Sequence, residues 1–183
     1  MPCCDAYIPQ GALEPDAERK LVAKVTELLV EHEMRRILDL MHEPTEIDAM
    51  RKRAQSIAWT FVHRTETYVN GVLPHAPYYR FVASIPEGQI DDRFPPAINR
   101  DIMQAVIEAE GGKWPSPERR VWVHVVEIAD GLWGAGGRAL HLEDIVDFVA
   151  DGWGKVAVER WQAKKREEAA ALADLARLPE VAV

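Results

Sequence analysis

Residue 2 of this chain is a proline, and it leads directly into a strand-like run, Cys3-Cys4-Asp5-Ala6-Tyr7-Ile8. Removal of Met1 ahead of so small a residue is expected, which leaves a free secondary amine at the tip of a strand. Such an amine takes and returns a proton near neutral pH when desolvation or nearby cations favour its uncharged form. Many chains begin Met-Pro for no catalytic reason, so the dipeptide needs partners. Imidazoles suit proton shuttling near pH 7. His32 continues the apolar stripe of Leu21, Val25, Leu28 and Leu29, so it faces the core. It reads either as a satisfied histidine at a helix end, helped by the negative dipole there, or as a proton donor. His124 shares a strand face with Trp122 and Val126, and His63 ends a strand where it is expected to be exposed. For a carboxylate, the planar fork of arginine matches two oxygens. Arg138 and Arg64 each close a hairpin or a strand, whereas Arg80 and Arg120 sit on strands and read equally as edge or interface charges.

The elements that must position these groups occur twice. Tyr7-Ile8-Pro9-Gln10-Gly11 answers to Ser84-Ile85-Pro86-Glu87-Gly88 at an offset of 77 residues. The register runs on, placing Leu21, Val25 and Leu29 on Ile98, Ile102 and Val106, an amphipathic-helix stripe in both copies. Ile57-Ala58-Trp59-Thr60-Phe61 then recurs as Arg120-Val121-Trp122-Val123-His124 at an offset of 63, so the first copy carries an insertion, placed at 34–55. Two copies of strand–helix–strand are the simplest account. Strands are expected over Pro2–Ile8, Ile57–His63, Tyr79–Ile85 and Val121–Val126, parallel within each copy through a right-handed crossover. Pro15, with Asp16 and Glu18, opens the first helix, and Pro95 and Pro96 open the second. The insertion reads as helical, with Glu43-Pro44 stopping one segment and Thr45 capping another through Arg53. Gly131 to Gly137 forms a hairpin loop, followed by a helix near Leu142–Ala150 and a longer one from about Lys155 to Arg177. That last helix mixes its charges, so it reads as a docking or oligomer-facing element rather than a membrane binder.

The fold class is therefore α+β: two fused βαβ repeats, 2–75 and 77–140, forming a four-stranded mixed sheet with two helices on one face. The inserted helices and a helical extension at 141–183 are added to it. The 183 residues are 48% hydrophobic and 28% charged, ordinary for a globular protein, and the net charge of −8 argues against a nucleic-acid partner. No apolar run approaches the roughly 20 residues needed to span a bilayer and no leader precedes Pro2, so no membrane association and a cytoplasmic location are expected. Cys3 and Cys4, the only cysteines, are too few for a disulfide framework or a zinc site. On a strand they point to opposite faces and read as reduced filler. No metal and no cofactor are expected.

A proline at the amino terminus, a doubled βαβ unit and a glycine-rich hairpin together resemble the tautomerase superfamily. Val125-Val126-Glu127-Ile128-Ala129 with Gly131-Leu132-Trp133-Gly134-Ala135-Gly136-Gly137 looks like the strand and hairpin of 4-oxalocrotonate tautomerase. The fused architecture is similar to cis-3-chloroacrylic acid dehalogenase and malonate semialdehyde decarboxylase. The resemblance spans about Pro2 to Leu140. It implies Pro2 as a general base and then general acid on a small keto or unsaturated carboxylic acid, and a homotrimer with the proline in a pocket between protomers. His124 stands at the family's strand tyrosine, and Arg138 matches an arginine of the dehalogenase pattern that would hold the carboxylate. Arg64 lies where family pockets open. Trp133 matches a hairpin aromatic, as a pocket wall or as trimer packing. His32 lies one turn beyond the position of the family's helix histidine, which is Leu29 here. Other helpers differ: Ala12 replaces an arginine, Pro86-Glu87-Gly88-Gln89 replaces an arginine pair, and Ala135 falls near a water-activating glutamate. The alternatives are a non-catalytic oligomer that keeps the fold, or a hydratase, decarboxylase or dehalogenase relative.

Overall fold

The computed structural model describes residues 2–41 and 46–175. Thr45, Pro44 and Arg177, used above as helix signals, lie outside the described residues. Four strands, β1 (Cys3–Pro9), β2 (Trp59–Thr65), β3 (Tyr79–Pro86) and β4 (Val121–Ile128), form one sheet in the order β2-β1-β3-β4. β1 pairs with β2 in parallel, β3 with β4 in parallel, and β1 with β3 antiparallel. This is the doubled βαβ sheet expected from the repeat. Each strand reaches its end within two residues of the expected window.

Helix α1 (Pro15–Leu40) and helix α3 (Phe94–Ala109) cover one face of the sheet. Alternation along the strands makes that face the core: Cys4, Ala6, Ile8, Ala83 and Ile85 are fully buried, and Phe81 nearly so, against Leu21, Val25, Leu29, Ile98, Ile102 and Val106. Burial pushes the Cys4 thiol up to about 12, so it is an inert filler of this core. The opposite face carries Asp5, Tyr7, Arg80, Val82, Trp122 and His124, with Trp59 and Phe61 exposed on β2.

The two helices differ in length, and the difference positions the site. At 1.5 Å per residue α1 is about 15 Å longer than α3. A βαβ crossover helix runs antiparallel to its strands, so the surplus turns of α1 lie beside the start of β1. The helix continues unbroken through Met34, where the insertion was expected to begin. A second core is built on those turns. Val30, Met34, Ile37 and Leu40 pack with Met50 of α2 (Ile47–Ser56), with Leu142, Val146 and Val149 of α5 (Leu142–Val149), and with Ala157 of α6 (Gly154–Leu175). Arg53 Nε donates to the Val149 carbonyl at 2.8 Å, tying α2 to α5, and Arg160 donates to that of Leu40, tying α6 to α1. Between β4 and α5, β5 (Trp133–Ala135) and β6 (Arg138–Leu140) form the expected hairpin through Gly136 and Gly137. Among the described residues no helix is long and apolar enough to cross a membrane.

Arg120, read from sequence as an edge or interface charge, is neither. It ends the short helix α4 (Pro117–Arg120) and is buried against Glu110.

Candidate active site at the amino-terminal end of the sheet

Because β1 and β3 are antiparallel, the first residue of β1 lies beside the end of β3, with Cys3 opposite Ser84. Pro2 is buried and extends the inward alternation of Cys4, Ala6 and Ile8. Its carbonyl accepts a hydrogen bond from the Trp59 N–H at 3.1 Å, which pins the chain end to β2.

The late turns of α1 bring three polar side chains inward here: His32, Glu33 and Arg36, each less than 10% exposed. Residues three and four apart share a helix face, so Arg36 lies one turn beyond both of the others. Burial raises the Glu33 carboxyl above the usual carboxylate range. Gln89, in the turn after β3, is fully buried. Gly88 shapes that turn at φ +88°, and a Cβ there would sit 2.7 Å from Leu142 Cδ2. Only glycine lets the turn tuck under α5 and α6.

Arg36 is the unusual member. Its Nε is buried without a hydrogen-bond partner. The same side chain lines a cavity of about 260 Å³ walled by Ile90, Asp91 and Pro95 on one side and Trp161 and Lys165 of α6 on the other. Asp91 resists pairing with Arg36 because Arg93 occupies it, through its backbone N–H at 3.0 Å and its Nε at 2.9 Å. Burial pushes the Asp91 carboxyl up, but the Arg93 hydrogen bonds, with the charges of Arg93 and Arg36, hold it below its usual value.

Of the residues singled out by sequence, Pro2 and His32 meet at this end. His32 Nε2 bonds Asp101 at 2.9 Å and its ring packs edge-on against Phe94, while its Nδ1 is buried without a partner. Trp133 and Arg138 lie on the hairpin that rises from the same end of the sheet, two strands from Pro2. Arg138 is bonded to Asp144 at 2.9 Å and Trp133 pairs with Leu140. Arg64 is at the opposite end of β1, opposite Ile8 and bonded to Glu18. Six residues of strand put it about 20 Å from Pro2 within one chain. His124 is exposed on the open face, opposite Val82. His63 also lies on that face, stacked on Tyr7 at 4.6 Å and bonded to Asp5 at 2.6 Å.

Glu33, Arg36 and Gln89 escaped the sequence reading. A signal existed: Glu33 stands where the apolar stripe through Leu21, Val25 and Leu29 calls for another hydrophobe, and Arg36 follows His32 at the same spacing.

The arrangement of strands and helices occurs in solved structures. A fused 4-OT, solved as a symmetric trimer, superposes with a TM-score of 0.54 at 16% identity, over 82% of this chain and 98% of that one. The chain has the tautomerase fold. Pt0534, solved after inactivation by 2-oxo-3-pentynoate, gives a TM-score of 0.56 at 14% identity, over 78% and 98% of the two chains. A macrophage migration inhibitory factor-like protein from Entamoeba histolytica gives 0.53 at 9% identity, over 76% and 98%. No protein-family model and no curated protein matches the chain. At these identities the likeness is one of fold. About a fifth of the chain lies outside each superposition.

Proposed function

We propose that this chain, once Met1 is removed, is an isomerase of the tautomerase type that moves a proton within a small keto or unsaturated carboxylic acid. The observation that carries the reading is Pro2 buried at the start of β1 in a tautomerase-type fold, at the end of the sheet where the overlong α1 buries His32, Glu33 and Arg36. The Pro2 nitrogen, neutral for part of the time, takes a proton from the carbon next to the substrate carbonyl. The electron pair moves to the carbonyl oxygen as an enolate, and the protonated amine then returns the proton to oxygen or to another carbon. Burial of Pro2 favours the neutral amine. His32, through the Nδ1 not bonded to Asp101, is a candidate proton donor to the enolate.

The open sheet face supports a homotrimer, as in the fused 4-OT structure. Trp59, Phe61 and Trp122 are each about half or more exposed on it, a larger apolar display than a monomer usually carries. In such an assembly His124 and Arg64 would enter a site from a neighbouring copy, and Arg138 and Trp133 would border it as carboxylate ligand and pocket wall. Acting on a free small acid, the enzyme would work in the cytoplasm without a cofactor.

A charged Pro2 would instead act as an acid, in a hydratase or decarboxylase. The test addresses both. The Met1-free protein is incubated with 2-oxo-3-pentynoate, and the adduct is mapped by mass spectrometry. Phenylenolpyruvate ketonisation is followed against pH for wild type and Pro2→Ala. Labelling at Pro2 and a rate lost in Pro2→Ala are expected. Equal ketonisation by both proteins ends the proline mechanism, and a non-catalytic oligomer then explains the fold.

A further inference from the structure

Residues cross the open face of the sheet in rows, one from each strand, and the row farthest from Pro2 differs in kind from the others. His63, Tyr7, Arg80 and Trp122 stand side by side on β2, β1, β3 and β4. Five residues of strand separate this row from Pro2, about 17 Å. The Tyr7 ring stacks on His63 at 4.6 Å, and the Arg80 guanidinium lies over Tyr7, 4.5 Å from the ring centre. Stacking of this kind occupies the flat face of a guanidinium and leaves its in-plane N–H donors unengaged. Among the described residues no carboxylate pairs with Arg80, and Asp5, on the same face of β1, is bonded to His63 at 2.6 Å.

Tyr7, Arg80 and Trp122 line a cavity of about 620 Å³, a size that holds a small organic ligand. The loop after β2 walls it on one side with Thr65 and Tyr68, and the junction of α4 with β4 on the other with Arg119. Three arginines border this recess against one carboxylate, Glu66. Arg120 is committed to Glu110, Arg119 lies 3.9 Å from Glu118, and Glu66 accepts from the Tyr68 hydroxyl at 3.5 Å. Arg80 is the uncommitted cation. A basic recess on a chain of net charge −8 is a place where anions collect. Tyr68 and Trp122 are 57% and 61% exposed, apolar surface that an aromatic body would cover.

We infer that this recess is a second ligand site, separate from the Pro2 end, and that it takes an aromatic monocarboxylate. The carboxylate sits on the donor edge of Arg80, whose planar fork matches two oxygens, and the aromatic body lies against Trp122 and Tyr68. One uncommitted guanidinium matches one carboxylate. The site stands whether or not Pro2 is catalytic.

The test is calorimetric titration of the full-length protein with 2-naphthoate, with 2-naphthalenemethanol, which lacks the charge, and with cyclohexanecarboxylate, which lacks the aromatic ring. Wild type binds 2-naphthoate, the alcohol at least about tenfold more weakly and the cyclohexane acid about threefold or more. Arg80→Met weakens 2-naphthoate about tenfold, to the level of the alcohol, and leaves the alcohol unchanged. In ¹⁵N-labelled wild type the Trp122 indole N–H resonance, assigned from Trp122→Phe, moves on adding 2-naphthoate, a readout that needs no change at Arg80. Pro2→Ala binds 2-naphthoate as tightly as wild type. No binding by wild type, equal affinity in wild type and Arg80→Met, an alcohol as tight as the acid, or an unmoved Trp122 resonance overturns the inference. Loss of binding in Pro2→Ala overturns it too, by returning the ligand to the proline end.

Discussion

The two repeats bury a charged group at the same place and use it differently. At the 77-residue offset Pro2 answers to Tyr79 and Glu33 to Glu110, so each repeat carries a strand-start residue and a glutamate late in its helix at corresponding positions. In the second repeat the glutamate is fully engaged. Arg120 grips both oxygens of Glu110 at 2.7 and 2.8 Å and gives its remaining donors to the carbonyls of Pro115, Pro77 and Trp114. Burial first, then the Glu110 charge, push the Tyr79 hydroxyl well above its usual value. That site is closed. In the first repeat a proline stands where the second has a phenol, and the Arg36 Nε, late in the helix, is buried without a hydrogen-bond partner. Equivalent positions are closed by a complete set of hydrogen bonds in one half and left incomplete in the other.

Breaking the open half should cost activity, and breaking the closed half should cost stability. The largest effect is expected from Pro2→Ala, with ketonisation down by about 10²-fold or more, as for removal of a general acid–base. Tyr79→Phe, its counterpart, should leave turnover nearly unchanged. Next comes Arg120→Met, which strands a buried Glu110 and should cost about 3–5 kcal/mol of unfolding free energy, read from urea midpoints. Arg36→Met leaves no comparable orphan, because its Nε is already unpaired, and should cost far less. If Arg36→Met unfolds the protein as readily as Arg120→Met does, the two halves are alike and the contrast fails.

A smaller effect separates the two glutamates by pH. The Glu33 pKa is raised in the folded chain, so the native state holds a proton that the unfolded chain has already released. Stability contributed by Glu33 is therefore full below the ordinary glutamate pKa and declines as pH rises through the folded value. Glu33→Gln should flatten that decline, seen as a smaller loss of urea midpoint between pH 5 and pH 8 than in wild type. A steeper loss in the variant would contradict the burial of a protonatable carboxyl at this position.

The sheet was legible because its signals are local and repeated. Alternation through Cys4, Ala6 and Ile8, and the stripe through Leu21, Val25 and Leu29, recur 77 residues on, and a pattern seen twice is hard to misread. Pro2 was legible from its position alone. Arg36 and Glu33 were not, because their burial depends on elements distant in sequence. Met50, Leu142, Val146 and Ala157 build the second core around the late turns of α1, and without it those turns would read as a solvated helix end. Arg120 hid for a related reason: its acceptors are the carbonyls of a loop and a residue ten positions back, a set that no periodicity announces.

The smallest effect is expected at the rim of the Arg36 cavity. Lys165 pairs with Glu87 and lies over the Trp161 ring at 4.6 Å, yet its side chain is 52% exposed. The pair's hydrogen bond is the first cause of Glu87's lowered pKa and Lys165's raised one, so its small stabilisation is present above the ordinary glutamate pKa and fades as pH falls through the Glu87 value. Exposed pairs contribute at most about 1 kcal/mol and are screened by salt. Lys165→Met should therefore change the urea midpoint only slightly, a difference that vanishes at roughly 0.5 M salt. The Arg120→Met defect should survive the same salt, since an ion pair shielded from solvent is screened far less. A salt-resistant loss in Lys165→Met would show that its pair with Glu87 is as shielded as that of Arg120 with Glu110.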